Sequence, residues 1–463
     1  MFSKIKTFLD KIIRKKDKPY YTLNDTFGCP ETPPTSCPTF LERNIHRQFK
    51  NALQAHNIIV VYGESRQGKT WTIDRYCPNQ IRIGCTSTMN VEQIKKEMLH
   101  RVGVDIHEVE HTITQQSSAG LKSTTEIGGD LLGKAGVDAD YMGSYEETIK
   151  TSYQTVDFSI DADFMSKLKE KSGDAFFVFD NFHYLEPSVQ KQFCSLLKEF
   201  NYQNIKIIIV GVWKDSSKIT ALAPDLVNRC EHIDIGSWSH AEFDNVVQRG
   251  ERALNIQIDE EALDIFKRCS AHNIGIFKTF LYKYCGAFDI RETQLSRKKL
   301  LNVQITDQVA EQVINESLAP LRDRIRNLAL PQRKKKDSKF MRQKIICAIL
   351  RLVVKNEVDY MQNGLPIEDL QRELDSICKE SNEEILGIGN ITQELGLLHT
   401  REENRQTGSN FIPLFFYDRG NRKLLIIEPT IYQIKEYNSQ LLTGIVSELT
   451  PAILAEQVQM MIG

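Results

Sequence analysis

Ile58-Ile59-Val60-Val61-Tyr62-Gly63-Glu64-Ser65-Arg66-Gln67-Gly68-Lys69-Thr70 is the stretch that decides the fold. Its first five residues predict a short buried strand. The next eight fit G-x-x-x-x-G-K-[ST] at every position. Glycines let such a loop curl so that backbone N–H groups converge on phosphate oxygens. A helix starting at Lys69 adds its positive dipole end. Lys69 would reach the β- and γ-phosphates, and the Thr70 hydroxyl would face Mg²⁺. Gly63, Glu64, Ser65, Arg66, Gln67, Gly68, Lys69 and Thr70, with Trp71 beside them, are thus the candidate residues for binding ATP or ADP.

Outward from the loop, strand and helix patterns alternate. A helix at about 41–55 precedes the loop strand; a strand near 80–84 and a helix near 90–102 follow. After an interruption come strand Ala175–Phe179, helix Ser188–Phe200 and strands Ile205–Val210 and His232–Ile235. Strands separated by helices imply a parallel sheet covered on both faces, an α/β three-layer core over residues 39–237. The run Ala175–Phe179 ends in Asp180, a candidate second metal partner with Thr70. Asn181 stands where a hydrolytic enzyme often carries Glu, and Asn cannot act as a base. His183 is close by and is the candidate substitute.

The remaining segments are appendages to that core. Residues 1–38 comprise an amphipathic helix over 1–18 and a Pro-rich extended linker. Residues 105–165 read as an acidic insertion, 238–330 as a helical lid, 331–440 as a basic linker feeding three helices and a hairpin, and 441–463 as a C-terminal helix. The formal charge of −2 hides strong segregation. Residues 1–18 hold seven Lys or Arg against two Asp, residues 105–165 three Lys against twelve acids, and residues 331–344 seven basic residues against one Asp.

Apolar residues make up 41% of the 463 and charged residues 26%, which excludes a wholly disordered chain, a collagen-like fibre and a coiled-coil rod. The longest aliphatic runs, Ile58–Val61 and Ile207–Val210, are far shorter than the roughly 20 residues of a membrane helix. Ten cysteines without a CxxC pair fit reduced thiols and a cytoplasmic location.

Asp180-Asn181-Phe182-His183 resembles the D-D-[YF]-H Walker B signature of STAND regulators. The order of core, helical lid and winged helix is similar to the origin-recognition group of AAA+ proteins and to NLR-like bacterial immune ATPases. The resemblance spans about residues 40–435. It implies a slow ATPase whose ATP/ADP state controls homo-oligomerisation and engagement of a protein effector, in bacterial antiviral defence or signalling. A DNA-transaction ATPase of the transposition or replication-initiation type is the alternative. By the same resemblance Arg229 takes the place of an arginine finger reaching a neighbouring subunit, against the plainer reading of a helix C-terminal cation. Gly275-Ile276-Phe277-Lys278 resembles the sensor 2 G-x-x-R helix start, with Lys278 keeping the charge but losing the bidentate fork. Strand Ile205–Val210 runs into Gly211-Val212-Trp213, without the polar tip expected of sensor 1.

Charge argues against sequence reading of DNA by the third C-terminal helix, expected at 383–396. It carries Glu383, Glu384 and Glu394 and no cation before Arg401, whereas phosphate attraction supplies most DNA affinity. Ser381 with Glu384 reads there as a capping box. The basic run and Arg419, Arg422 and Lys423 leave non-specific backbone contact open, against a solvated linker and turn. The helix over 1–18 suits weak membrane contact or docking on a partner.

Overall fold

The strand that leads into the phosphate loop, β1 (Ile58–Tyr62), lies inside a five-stranded sheet with both neighbours parallel to it. In chain order the other strands are β2 (Gln80–Gly84), β3 (Phe176–Asp180), β4 (Lys206–Val210) and β5 (Cys230–Asp234). The spatial order is β2-β3-β4-β1-β5. Every pairing in the sheet is parallel, with Ile59 opposite Ile208 and Glu231, and Gly84 opposite Asp180. Ile58 to Val61 are all buried, as are Phe176 to Phe179, which is the mark of a sheet covered on both faces. This computed structural model describes residues 19–30, 36–104, 161–212, 229–329, 341–355, 360–380, 387–403, 413–418 and 421–449.

Helices Asn44–Ala55, Lys69–Tyr76 and Pro187–Tyr202 belong with this sheet. One apolar cluster joins Phe49, Ala52 and Ile73 to Ile59, Val61, Val178, Ile208 and Ile233. On Pro187–Tyr202, Phe193 meets Phe179 and Phe182 at ring-centroid distances of 4.6 and 5.4 Å. Removing such a ring typically costs about 3–5 kcal/mol.

Residues 91–173 form a compact unit of their own. Its described helices, Val91–Arg101 and Asp161–Ser172, pack together, with the Lys95 ammonium 5.4 Å from the Phe164 ring centroid. The acidic insertion expected over 105–165 lies outside the described residues except for 161–165, which begin the second helix.

The helical region expected from 238 begins at Ser239, whose capping box with Glu242 starts helix His240–Leu254. Helices Glu260–Cys269, Ile274–Ala287 and Val303–Ala329 follow. The last ends at Ala329, within the span read as the lid, with Pro320 inside it. A small parallel pair, β6 (Ile256–Ile258) and β7 (Lys298–Leu300), interrupts what reads as wholly helical sequence, because three-residue strands are too short to show a period.

The C-terminal region has the expected three helices, Met341–Lys355, Ile367–Glu380 and Ile388–Glu403, and the hairpin β9 (Phe415–Asp418) with β10 (Lys423–Ile426). A further strand, β8 (Leu365–Pro366), pairs with β10 ahead of the second helix. Helix Thr430–Leu449 is broken at Asn438, whose φ of −158° is not helical. It is held to helix Val303–Ala329 by Arg322–Glu448, and Arg324 bonds Glu428 at 2.9 Å.

Two expectations change. The Pro-rich linker contains a helix, Leu23–Phe27, fixed by a capping box between Thr22 and Asp25, and Leu23 and Phe27 are buried in the helical region. The end of the basic run is no solvated linker: Gln343 and Lys344 are buried in helix Met341–Lys355, and Arg342 faces Glu394 at 3.6 Å. Residues 1–18, 331–340 and 450–463, residues 223–228 ahead of Arg229, Trp213, the Ser381–Glu384 box, Glu383 and Arg419 lie outside the described residues, and Arg401 is described only in its backbone.

Candidate functional site

The loop after β1 needs unusual backbone, and the sequence supplies it. Gly63 and Gly68 have φ of +134° and +98°, in the region that favours glycine, and Arg66 follows at +60°. Gly68 caps helix Lys69–Tyr76, so the helix opens directly at the loop with its N–H groups forward. An added Cβ at Gly68 would meet nothing within 4 Å, so the space in front of the helix is open.

Lys69 lies folded along its own loop, Nζ donating to the carbonyls of Gly63 (2.8 Å) and Glu64 (2.6 Å). Burial of this ammonium pushes its pKa down to about 8, against attraction from Asp180, Glu64 and Asp234. Thr70, Asp180, Asn181 and Lys278 line one cavity with Ser65–Trp71, so the candidate phosphate, metal and sensor residues converge. Its volume of about 540 Å³ lies within the range of ligand sites. His183 and Arg229 are not among its lining residues. The His183 ring packs on Tyr184 at 4.1 Å in the turn Phe182–Tyr184, and Arg229 is exposed just before β5.

Several residues that build the site are absent from the expected set. Asn273 is buried and does two tasks: its Oδ1 accepts from Ile276 N at 3.2 Å, starting helix Ile274–Ala287, while its Nδ2 donates to Ser65 O at 2.8 Å. An Asn ahead of an apolar run is a legible N-cap, but its second bond is tertiary. Gly275 N donates to Arg66 O at 3.1 Å, Gln67 Nε2 to His272 O at 3.2 Å, and Trp238 Nε1 to Gln67 O at 3.3 Å. The phosphate loop is thereby tied to the helical region at four places.

The Pro-rich segment and the first residues of the core close the other side: Cys29 and Pro30 line the cavity together with Thr39, Phe40 and Leu41. Trp71 Nε1 donates to Pro30 O at 3.0 Å, and Phe40 stacks on His46 at 5.2 Å. Burial, aided by Arg43, lowers the His46 pKa to about 4, so this imidazole is neutral at pH 7. Burial likewise pushes the Cys85 thiol up, and all ten cysteines are free.

A parallel sheet in the order β2-β3-β4-β1-β5, with this loop between β1 and the next helix and a carboxylate at the end of β3, is a P-loop nucleotide-binding αβα fold. No protein-family model matches the chain, and no curated protein matches it. Among solved structures it is similar to a Walker-type ATPase of Pyrococcus abyssi, at 12% identity over 87% of this chain and 96% of that one, TM-score 0.48. It is similar also to Cdc6p from Pyrobaculum aerophilum, at 13% identity over 93% and 99%, TM-score 0.37. A third is the Aeropyrum pernix ORC1 protein in complex with DNA, at 10% identity over 96% and 100%, TM-score 0.40. These scores fall below 0.5, so the fold assignment rests on the sheet order and the loop. Among the described residues no helix is long and apolar enough to cross a membrane.

Proposed function

We propose that this protein is an AAA+-type ATP-binding switch with slow hydrolysis, whose nucleotide state controls self-association and engagement of a protein effector. The observation that carries this reading is Lys278, a buried cation on helix Ile274–Ala287 that lines the phosphate-loop cavity. A cation borne by the helical region and reaching the phosphates of a bound nucleotide would make that region's position depend on which nucleotide is bound. The loop fits the nucleotide: its left-handed glycines, its open front and Lys69 supply phosphate contacts, and Thr70 with Asp180 would hold Mg²⁺. Bound Mg²⁺ supplies positive charge that offsets the phosphates. Asn181 gives this cavity an amide in place of a catalytic carboxylate, which accords with slow turnover. Arg229 is the residue we assign to the neighbouring subunit's nucleotide. Mass measurement in solution tests the switch: a larger assembly is expected with a non-hydrolysable ATP analogue than with ADP, and equal masses would refute it.

The context of bacterial defence or signalling follows from the STAND resemblance. The competing reading, a DNA-transaction ATPase, takes the C-terminal helices and hairpin as a winged helix on DNA. Against it, Arg422 lies 3.3 Å from Glu368 and Arg342 3.6 Å from Glu394, so these cations already face carboxylates of their own chain. A packing module that latches the helical region is the reading we favour. Duplex DNA binding that falls steeply with salt would reverse that preference.

A further inference from the structure

Arg82 carries no role in the site so far, yet it bonds the carboxylate at its centre. It is the third residue of β2, opposite Val178, while Asp180 lies opposite Gly84. Side chains two apart share a face of a strand, so Arg82 and Asp180 emerge on the same side of the sheet. Arg82 Nη1 lies 3.0 Å from Asp180 Oδ2, and Nη2 lies 2.6 Å from Asp74 Oδ1 on the phosphate-loop helix. Gln80 steadies this arrangement, its Nε2 donating to Asp74 Oδ1 at 2.9 Å and its Oε1 accepting from Arg82 Nη2 at 3.3 Å. The second oxygen of Asp180 accepts from Asn181 N at 3.0 Å.

A single guanidinium therefore bridges the helix that begins with Lys69 and the strand that ends with Asp180. The planar fork of arginine offers separate nitrogens to the two carboxylates, and its charge cannot be removed by deprotonation. A carboxylate that shares its charge with a fixed cation attracts a second cation less strongly. We propose that Arg82 is a positioning residue that competes with the nucleotide-bound divalent cation for Asp180 and so sets the metal concentration the site requires. Asp74 moderates the competition by drawing part of the guanidinium's charge to itself. The inference rests on the reading of Asp180 as the metal-facing carboxylate.

Opposite shifts from the two ends of the bridge are the signature of this device. The full chain is titrated with Mn²⁺ at saturating ADP, and free Mn²⁺ is read by electron paramagnetic resonance, with melting curves to verify folding. Arg82→Gln is expected to tighten Mn²⁺ binding roughly two- to fivefold, the size of one partly exposed ion pair. Arg82→Lys, which keeps the charge, stays nearer the parent protein. Asp74→Asn removes the competing negative charge, leaving Asp180 as the carboxylate that faces the guanidinium, and is expected to weaken Mn²⁺ binding by a similar factor. A merely structural role predicts the same sign for Arg82→Gln and Asp74→Asn; that outcome, or no change in either, overturns the inference. Asp180→Asn separates the two failures, since unchanged Mn²⁺ affinity there removes the reading of Asp180 itself.

Discussion

The Lys278 ammonium lies 4.6 Å from the centroid of the Trp71 indole ring. Trp71 follows Thr70 directly, and its own N–H is committed to Pro30 O, so one indole connects the phosphate-loop helix, the helical region and the N-terminal segment. A nucleotide phosphate reaching Lys278 would compete with the ring for the cation. Binding of an ATP analogue should therefore change Trp71 emission more than binding of ADP, and Trp71→Phe should abolish that difference. Lys278→Ala should weaken binding of the ATP analogue more than of ADP. It should also cost about 1–2 kcal/mol of stability, between the values of an exposed and a desolvated cation–π pair. Equal losses for the two nucleotides would place Lys278 away from the terminal phosphate.

Gly275 offers a test of the loop's tie to the helical region by geometry alone. A Cβ added there would lie 2.7 Å from the Arg66 Cβ and 3.1 Å from the Arg66 carbonyl oxygen. At Gly286, in the same helix, an added Cβ would meet nothing within 4 Å. The same substitution should act with opposite signs. Gly286→Ala should stabilise by about 0.5–1 kcal/mol through helix propensity. Gly275→Ala should cost about 1–3 kcal/mol, because backbone cannot yield as a flexible side chain can. Urea denaturation of the two variants decides it.

These contacts also mark where sequence reading stops. The phosphate loop, the carboxylate of Asp180 and the sheet strands are legible because each is local: a spacing of residues, or an apolar run with its terminal acid. Lys278 is legible only by resemblance. Arg82, Asn273 and Gly275 act across the fold, from positions whose neighbours in sequence give no hint of Asp180, Ser65 or Arg66. The segment 19–39 misleads for the opposite reason, since five prolines outweigh one Thr22–Asp25 capping box in a reading by composition. Charge misleads in the same way along 341–344, where Lys344 is buried within a helix.

The depressed pKa of Lys69 gives a pH dependence with a definite sign. In the folded protein the ammonium titrates at about 8, against the ordinary lysine value of 10.5. Between those values the unfolded chain binds more protons than the folded one, so the stability contribution of this group rises with pH in that window. Nucleotide affinity should move the other way, because phosphates require the charged form. Calorimetric ADP affinity should be flat below about pH 8 and fall above it by up to about tenfold per unit. Lys69→Ala should abolish binding, leaving no pH effect to measure. Affinity that stays constant to pH 9.5 would show that Lys69 is not the phosphate ligand.

Asn181 has a backbone reason to be Asn that is separate from catalysis. Its φ of 59° and ψ of 34° are left-handed, a conformation that Asn and Gly tolerate and Glu does not. Asn181→Gly should therefore leave stability nearly unchanged, whereas Asn181→Glu should cost about 1 kcal/mol in chemical denaturation. The same Glu would put a carboxylate into the cavity that Asn181 lines, where general-base help is worth about a hundredfold or more. Steady-state phosphate release should accordingly rise in Asn181→Glu, despite the lost stability, and stay at the parent level in Asn181→Gly. Slow release in both variants would mean that another group limits hydrolysis. The exposed Arg229 would then be the first to replace, in assemblies formed with the ATP analogue.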